Sequence, residues 1–250
     1  MTDRWRVGAN LATLANGLLG VGAILYTLAG NKLWAMLLIV AAIGFDGLDG
    51  LLSRRSPLPS GRFGRIADSV ADATTFGLAP AVLIAVHTSD VGLWRPYLPL
   101  ASALAIAYGA AAFARLTYFT ARAHHLPHFL GVPTPESALA LVVALLFHDT
   151  PAFQGVQPIG VLTGAAVLAV LMVAPIPYPK IRRGSPLRWP AVATALFAVA
   201  TLVPLQFAPA RGSPLYDVAD VAAFGLLVGV ASYYLLGPFT VRRGAPGSAP

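Results

Sequence analysis

The stretch Asp46-Gly47-Leu48-Asp49-Gly50-Leu51-Leu52-Ser53-Arg54, followed after nine residues by Gly64-Arg65-Ile66-Ala67-Asp68-Ser69-Val70-Ala71-Asp72, decides how this chain is read. It places four of the chain's ten acidic residues within 27 positions. Around it the sequence is apolar. Of 250 residues, 57% are hydrophobic and 11% charged, where a soluble domain carries roughly 25% charged residues. Mean hydropathy is +0.71. A soluble globule of this size would lack polar residues to cover its surface. Disorder needs the opposite composition. With no cysteine, disulfide scaffolds and Cys-ligated zinc or iron–sulfur sites are excluded. What remains is an all-α, polytopic membrane bundle.

A membrane helix needs about 20 mostly apolar residues. Eight such stretches are expected, at 10–30, 33–52, 67–87, 97–120, 134–148, 159–177, 189–208 and 218–237. The apolar run after Arg4 and Arg6 is long enough to span and is followed by others, so it reads as the first span and not as a secretory leader. Eight spans put both termini on one side. Fourteen cations fall on that side, among them Arg54, Arg55, Arg62, Arg65, Arg115 and Lys180. Only Lys32, Arg95 and Arg211 fall on the other. The positive-inside rule then makes the protein a multi-pass component of the cytoplasmic (inner) membrane, with both termini and a short tail from Arg242 in the cytoplasm. The net charge of +7 follows from topology and anionic lipid headgroups. No basic patch with interleaved aromatics is left for nucleic acid.

Four carboxylates in such a chain need compensation, since each costs about 2.5–3.5 kcal/mol at mid-membrane. Asp46 and Asp49 are spaced i, i+3, and Asp68 and Asp72 are spaced i, i+4. Each pair therefore shares one helix face. Two antiparallel helices joined by a loop at residues 53–65 would bring the pairs face to face. One or two hard divalent cations, Mg2+ or Mn2+, would relieve the repulsion. The alternative is pairing with Arg54, Arg55, Arg62 or Arg65. Four acids at these spacings favour ions. Gly47, Gly50, Gly61 and Gly64 flank the acids and allow close approach of a ligand or another backbone.

These residues resemble the signature of the CDP-alcohol phosphatidyltransferases, D-x-x-D-G-x-x-A-R, eight or nine residues, then G-x-x-x-D-x-x-x-D, with Ser53 at the Ala position. The resemblance implies cleavage of the pyrophosphate of a CDP-linked lipid, transfer of the phosphatidyl group to an alcohol, and release of CMP. It implies a two-ion site of Asp46, Asp49, Asp68 and Asp72, with Asp72 also the general base. Gly50 would leave room for the cytidine, Gly64 would support the same pocket, and Arg54 would face the CDP phosphates, with Ser53 beside them. Asn10 and Thr13 resemble the family's N-x-x-T entry to its first helix and would face the nucleotide. Asn10 could equally act as a helix cap. Residues 1–185 would form a six-helix catalytic core and 186–250 two added helices. A homodimer is the family expectation.

The run Phe63 to Pro80 is also similar to that of the phosphatidylserine synthases. So are Ala114-Arg115-Leu116-Thr117, Gly131-Val132-Pro133-Thr134-Pro135 and Met172 to Pro179. The implied partners are CDP-diacylglycerol and a small alcohol, L-serine before inositol phosphate or glycerol phosphate. Arg115 and Thr117 would hold the acceptor or a phosphate. Arg115 suits a planar oxyanion, although a snorkelling role at a helix end is the alternative. Thr117 stands where that subfamily has Asn, Pro177 where it has Arg, and Glu136 where a small residue is usual. His124, His125 and His128 read as a solvated loop before a metal site. A cation-coupled transporter would place its acids near the midplane and often repeat its halves. Clustering at one edge and the lack of a repeat weigh against it.

Overall fold

A computed structural model describes residues 3–57, 61–90, 92–123, 126, 128–149, 158–180, 188–207 and 213–243. The tail beyond Arg243 and His124 and His125 lie outside the described residues. The chain is a helical bundle. Helices α1 (Arg4–Leu28) and α2 (Lys32–Ser53) form an antiparallel pair. The third span is α3 (Arg62–Asp72), a π-helical segment (Ala73–Leu78) and α4 (Ala79–Asp90) in one continuous run. Then follow α5 (Leu98–Tyr118), α6 (Thr134–Asp149), α7 (Pro158–Val173), α8 (Arg188–Phe207) and α9 (Pro214–Arg243). Among the described residues, six helices are long and apolar enough to cross a membrane, while α6 and α7 are shorter apolar helices. At 16 residues each, these two reach only about 24 Å. The expected span 134–148 matches α6, whereas α7 stops at Val173, short of the expected 177. Helix α6 is short and central: Ala138, Leu141, Val142, Leu145 and Leu146 are all buried by protein.

The third span starts at Arg62, five residues before the expected 67. The acids Asp68 and Asp72 therefore sit within a helix and not at a loop edge. The chain likewise stays helical through Ser53, so the connection is tighter than the expected 53–65 loop.

Side-chain size sorts α1 in the manner of a membrane helix. Its buried positions are Ala9, Ala12, Asn16, Gly20, Ala23 and Thr27. The exposed ones include Leu11, Leu14, Leu18 and Leu25. Lipid tails are as apolar as leucine, so close packing of small residues, and not burial of large ones, drives helix association there. Gly20 is the tightest point. A Cβ at that position would lie 2.8 Å from the Thr75 Cα in the π-helical segment, and the Thr75 hydroxyl donates to the Asn16 carbonyl at 2.9 Å. Helix α1 thus packs against both α2 and α3, while α2 and α3 make little direct backbone contact. The space left between them is the site.

Two short strands add to the helices. β1 (His128–Leu130) pairs antiparallel with β2 (Pro177–Pro179), Phe129 opposite Tyr178. Gly131 follows at φ 74°, and a Cβ there would lie 2.8 Å from the Met172 carbonyl carbon. Its N–H donates to the Ile176 carbonyl at 2.9 Å. This contact joins the Gly131–Pro135 and Met172–Pro179 motifs, which are far apart in sequence. Helix α9 backs the ribbon: Tyr178 stacks on Tyr233 at 5.7 Å, with Tyr234 edge-on at 6.3 Å.

Gly20→Ala should lower the melting temperature in detergent, since the new methyl meets backbone, with a cost on the order of 1–3 kcal/mol. Gly44→Ala, where a Cβ meets nothing within 4 Å, is the control and should leave it nearly unchanged.

Candidate active site

Elements from across the bundle converge on the space between α2 and α3. From α2 come Asp46 and Asp49, and from α3 come Asp68 and Asp72. One carboxylate oxygen from each of Asp46, Asp68 and Asp72 lies within 4.8 Å of the others. Asp49 lies within hydrogen-bonding reach of Asp68. Asp68 therefore joins the two pairs. These are hard oxygen donors, mutually repulsive and sheltered from water, and as a set they fit a hard divalent cation.

Helix α1 holds two of the acids in place. The Thr13 hydroxyl donates to Asp49 Oδ2 at 2.9 Å. The Asn16 amide Nδ2 donates to Asp72 Oδ1 at 2.9 Å, across 56 residues of sequence. Both Asn16 and Asp72 are buried. Sequence reasoning missed Asn16. The available signal was its position one turn beyond Thr13 on a helix already carrying Asn10 and Thr13, but nothing local says which acid it meets.

Asp68 and Arg65 separate two cavities. The smaller, about 130 Å³, is lined by Asn10, Thr13, Asp49, Gly50, Ser53 and Gly64, together with Arg6 and Arg65. Gly50 and Gly64 leave its wall bare, and a Cβ at Gly64 would meet nothing within 4 Å. The exposed Arg54 is not part of that lining. Its Nη1 sits over Gly50, 3.4 Å from where a Cβ would be. The larger cavity, about 360 Å³, is lined by Asp46, Asp68, Asp72, Arg115, Glu136 and Lys180, among others. Arg115 is 7% exposed and its Nη1 donates to the Thr134 hydroxyl at 3.3 Å. Its guanidinium lies 5.5 Å from the Phe129 ring centre. The Lys180 ammonium lies 5.1 Å from both the Phe119 and Phe129 rings. The ring faces attract these cations electrostatically. Lys180 was not among the sequence candidates, because only the β1–β2 ribbon carries it here.

Thr117 is not brought to either cavity. Residues two apart on a helix face nearly opposite ways, so when Arg115 turns inward Thr117 turns out. It is exposed, its hydroxyl donates back to the Phe113 carbonyl at 2.9 Å, and it borders an apolar groove between α3 and α5. The structure therefore corrects the expectation that both residues of the Arg115–Thr117 motif reach the acceptor.

A membrane helical bundle with an anionic centre between a small polar niche and a cationic chamber fits a membrane-embedded transferase of phosphate-linked groups. The family model of CDP-alcohol phosphatidyltransferases matches residues 6–176, and the chain belongs to that family. It is similar to a CDP-diacylglycerol–serine O-phosphatidyltransferase of Helicobacter pylori (strain ATCC 700392 / 26695), 33% identical over 70% of this chain and 72% of the relative. A protein of the same name from Bacillus subtilis (strain 168) is 30% identical over 69% of this chain and 90% of its own length. An archaetidylserine synthase of Methanothermobacter thermautotrophicus is 28% identical over 69% of each.

Asn16→Ala should lower turnover roughly 10–100-fold without unfolding the protein, because Asp72 loses the donor that orients it. CMP release from a CDP-lipid, set beside a size-exclusion profile in detergent, checks this. A turnover equal to the parent's would detach Asn16 from the site.

Proposed function

We propose that the protein transfers the phosphatidyl group of CDP-diacylglycerol to L-serine, forming phosphatidylserine and releasing CMP. One observation carries the reading: the Asp46–Asp68–Asp72 cluster adjoins a chamber walled by Arg115 and Lys180. An anionic centre suits ion-assisted phosphoryl chemistry, and a cationic wall suits an acceptor bearing a carboxylate. The names of the relatives support the same acceptor.

Asp46, Asp49, Asp68 and Asp72 would hold Mg2+ or Mn2+, two ions in this reading. When bound, the ions would neutralise charge on the diphosphate and on the departing CMP. The protein's own groups do the rest. Asn10, Thr13, Gly50, Ser53 and Gly64 wall the nucleotide niche. Arg6, Arg54 and Arg65 supply positive charge near the diphosphate. Arg115 receives the serine carboxylate with a planar donor set. Asp72, oriented by Asn16, takes the proton from the serine hydroxyl as general base. The serine oxygen then bonds to the lipid-side phosphorus, and the bond from that phosphorus to the CMP oxygen breaks in line.

In this reading the protein lies in the cytoplasmic membrane with both termini and the site on the cytoplasmic side, and works as a homodimer. Residues 1–185 form the catalytic core and 186–250 an added helix pair. A phosphorylated acceptor such as glycerol phosphate or inositol phosphate is the second reading, favoured by the three cations Arg65, Arg115 and Lys180 on one chamber. Glu136 on the same wall opposes it.

A panel of alcohols offered to the purified protein with CDP-diacylglycerol, reading CMP release, tests the acceptor. L-Serine should give the signal, and a signal only with another alcohol would reject that acceptor while keeping the chemistry. Chelation should abolish turnover and Mg2+ or Mn2+ restore it. Asp72→Asn should cut turnover by about 10²–10⁴ with the protein still folded and inserted, and unchanged turnover would remove Asp72 from the base role. Asp46→Ala or Asp68→Ala should eliminate turnover or raise the ion concentration required. An unaltered ion dependence would contradict the ion-site assignment.

A further inference from the structure

Glu136 is a half-buried acid that the scheme above does not use. It lies in the first turn of α6, and its side chain lines the acceptor chamber with Arg115 and Lys180. It also borders a neighbouring cavity closed by α8 and α9. Its Oε2 is buried without a hydrogen-bond partner, and so is the Nε of Arg115 on the same chamber. The two side chains are close enough to act on each other electrostatically. A buried acceptor and a buried donor left unmade are costly, unless a ligand completes both. A negative charge in a helix's first turn is favourable by itself. That role asks only for proximity to the helix end, and does not account for an acceptor atom, Glu136 Oε2, and a donor atom, Arg115 Nε, both left without hydrogen-bond partners on one chamber beside the reaction centre.

We propose that Glu136 determines acceptor specificity by receiving the ammonium group of a zwitterionic alcohol whose carboxylate Arg115 takes. The inference rests on the acceptor reading above and deepens it. Opposite charges on one wall match the opposite charges of an amino acid. An acceptor with a carboxylate but no amine would leave Glu136 Oε2 without a donor, which is how a polar site rejects an analogue lacking one group. A dianionic phosphate would meet direct repulsion.

The test compares L-serine with 3-hydroxypropionate, which is serine without its amine, using the full chain in detergent with CDP-diacylglycerol. The parent protein should prefer L-serine in kcat/KM. E136Q should raise the KM for L-serine about tenfold or more, leave the KM for CDP-diacylglycerol unchanged, and shrink the preference for serine by a similar factor. Glu136→Asp should recover part of it. An unchanged serine KM in E136Q, or a fall in kcat with the preference intact, would overturn the proposal and leave Glu136 a structural residue. Should E136Q fail to fold, the parent's own ratio decides: equal kcat/KM for the two acceptors overturns the assignment, and a preference for the amine supports it. Turnover with another amine-bearing alcohol but not with serine would reject serine as acceptor while supporting the ammonium site. Turnover with amine-free acceptors only would reject both.

Discussion

Mutual repulsion among four carboxylates inside an apolar bundle is the constraint on which the rest of the structure depends. Each acid is expensive in such surroundings, and together they would force α2 and α3 apart unless other groups held them. The bundle meets this by inserting α1. Its small-residue face lets α1 approach both acid-bearing helices, and its polar residues then reach the carboxylates. Thr13 takes Asp49 and Asn16 takes Asp72. The close packing at Gly20 and Thr75 is therefore tied to the chemistry, because it fixes the height at which Asn16 meets Asp72. The π-helical turn that begins directly after Asp72 belongs to the same arrangement. Such turns insert a residue and re-phase the faces of a helix, here separating an acid-bearing segment from the apolar α4.

Around the acids the charge is divided. On one side of Asp68 lies a narrow niche with bare glycines and arginines at its mouth. On the other lies a wider chamber with cations over phenylalanine rings and a glutamate whose Oε2 lacks a hydrogen-bond partner. That asymmetry gives the two sides different ligand chemistries. The chamber's far wall depends on the β1–β2 ribbon, and the ribbon depends on Gly131 and on the aromatic contacts from α9. The last helix thus bears on the site through Tyr178, although it lies beyond the 6–176 stretch that the family shares.

How much was legible in the sequence follows from the range of each interaction. Composition and apolar run length set the membrane bundle and its apolar helices, six of them long enough to span among the described residues, since both are properties of contiguous residues. The i, i+3 and i, i+4 spacings set which acids share a helix face, for the same reason. Span ends were less legible. Helix α3 starts earlier than its hydropathy suggests because its first turns face the cavity and can carry polar residues. Helix α7 stops at Val173, short of the expected 177, because Pro175 cannot continue a helix. Thr117 was misplaced because a motif match says nothing about which way a helix is rotated.

By itself, then, the sequence determined the class of fold, the four acids, and the bare glycines beside them. Only the tertiary structure decided that Asp68 is the member shared between the pairs, that Asn16 orients Asp72, and that Lys180 and Glu136 face the same chamber as Arg115. Periodicity reports the direction of a side chain relative to its own helix axis. It does not report how that helix is turned against a neighbour 50 or more residues away, which close packing across the whole bundle settles.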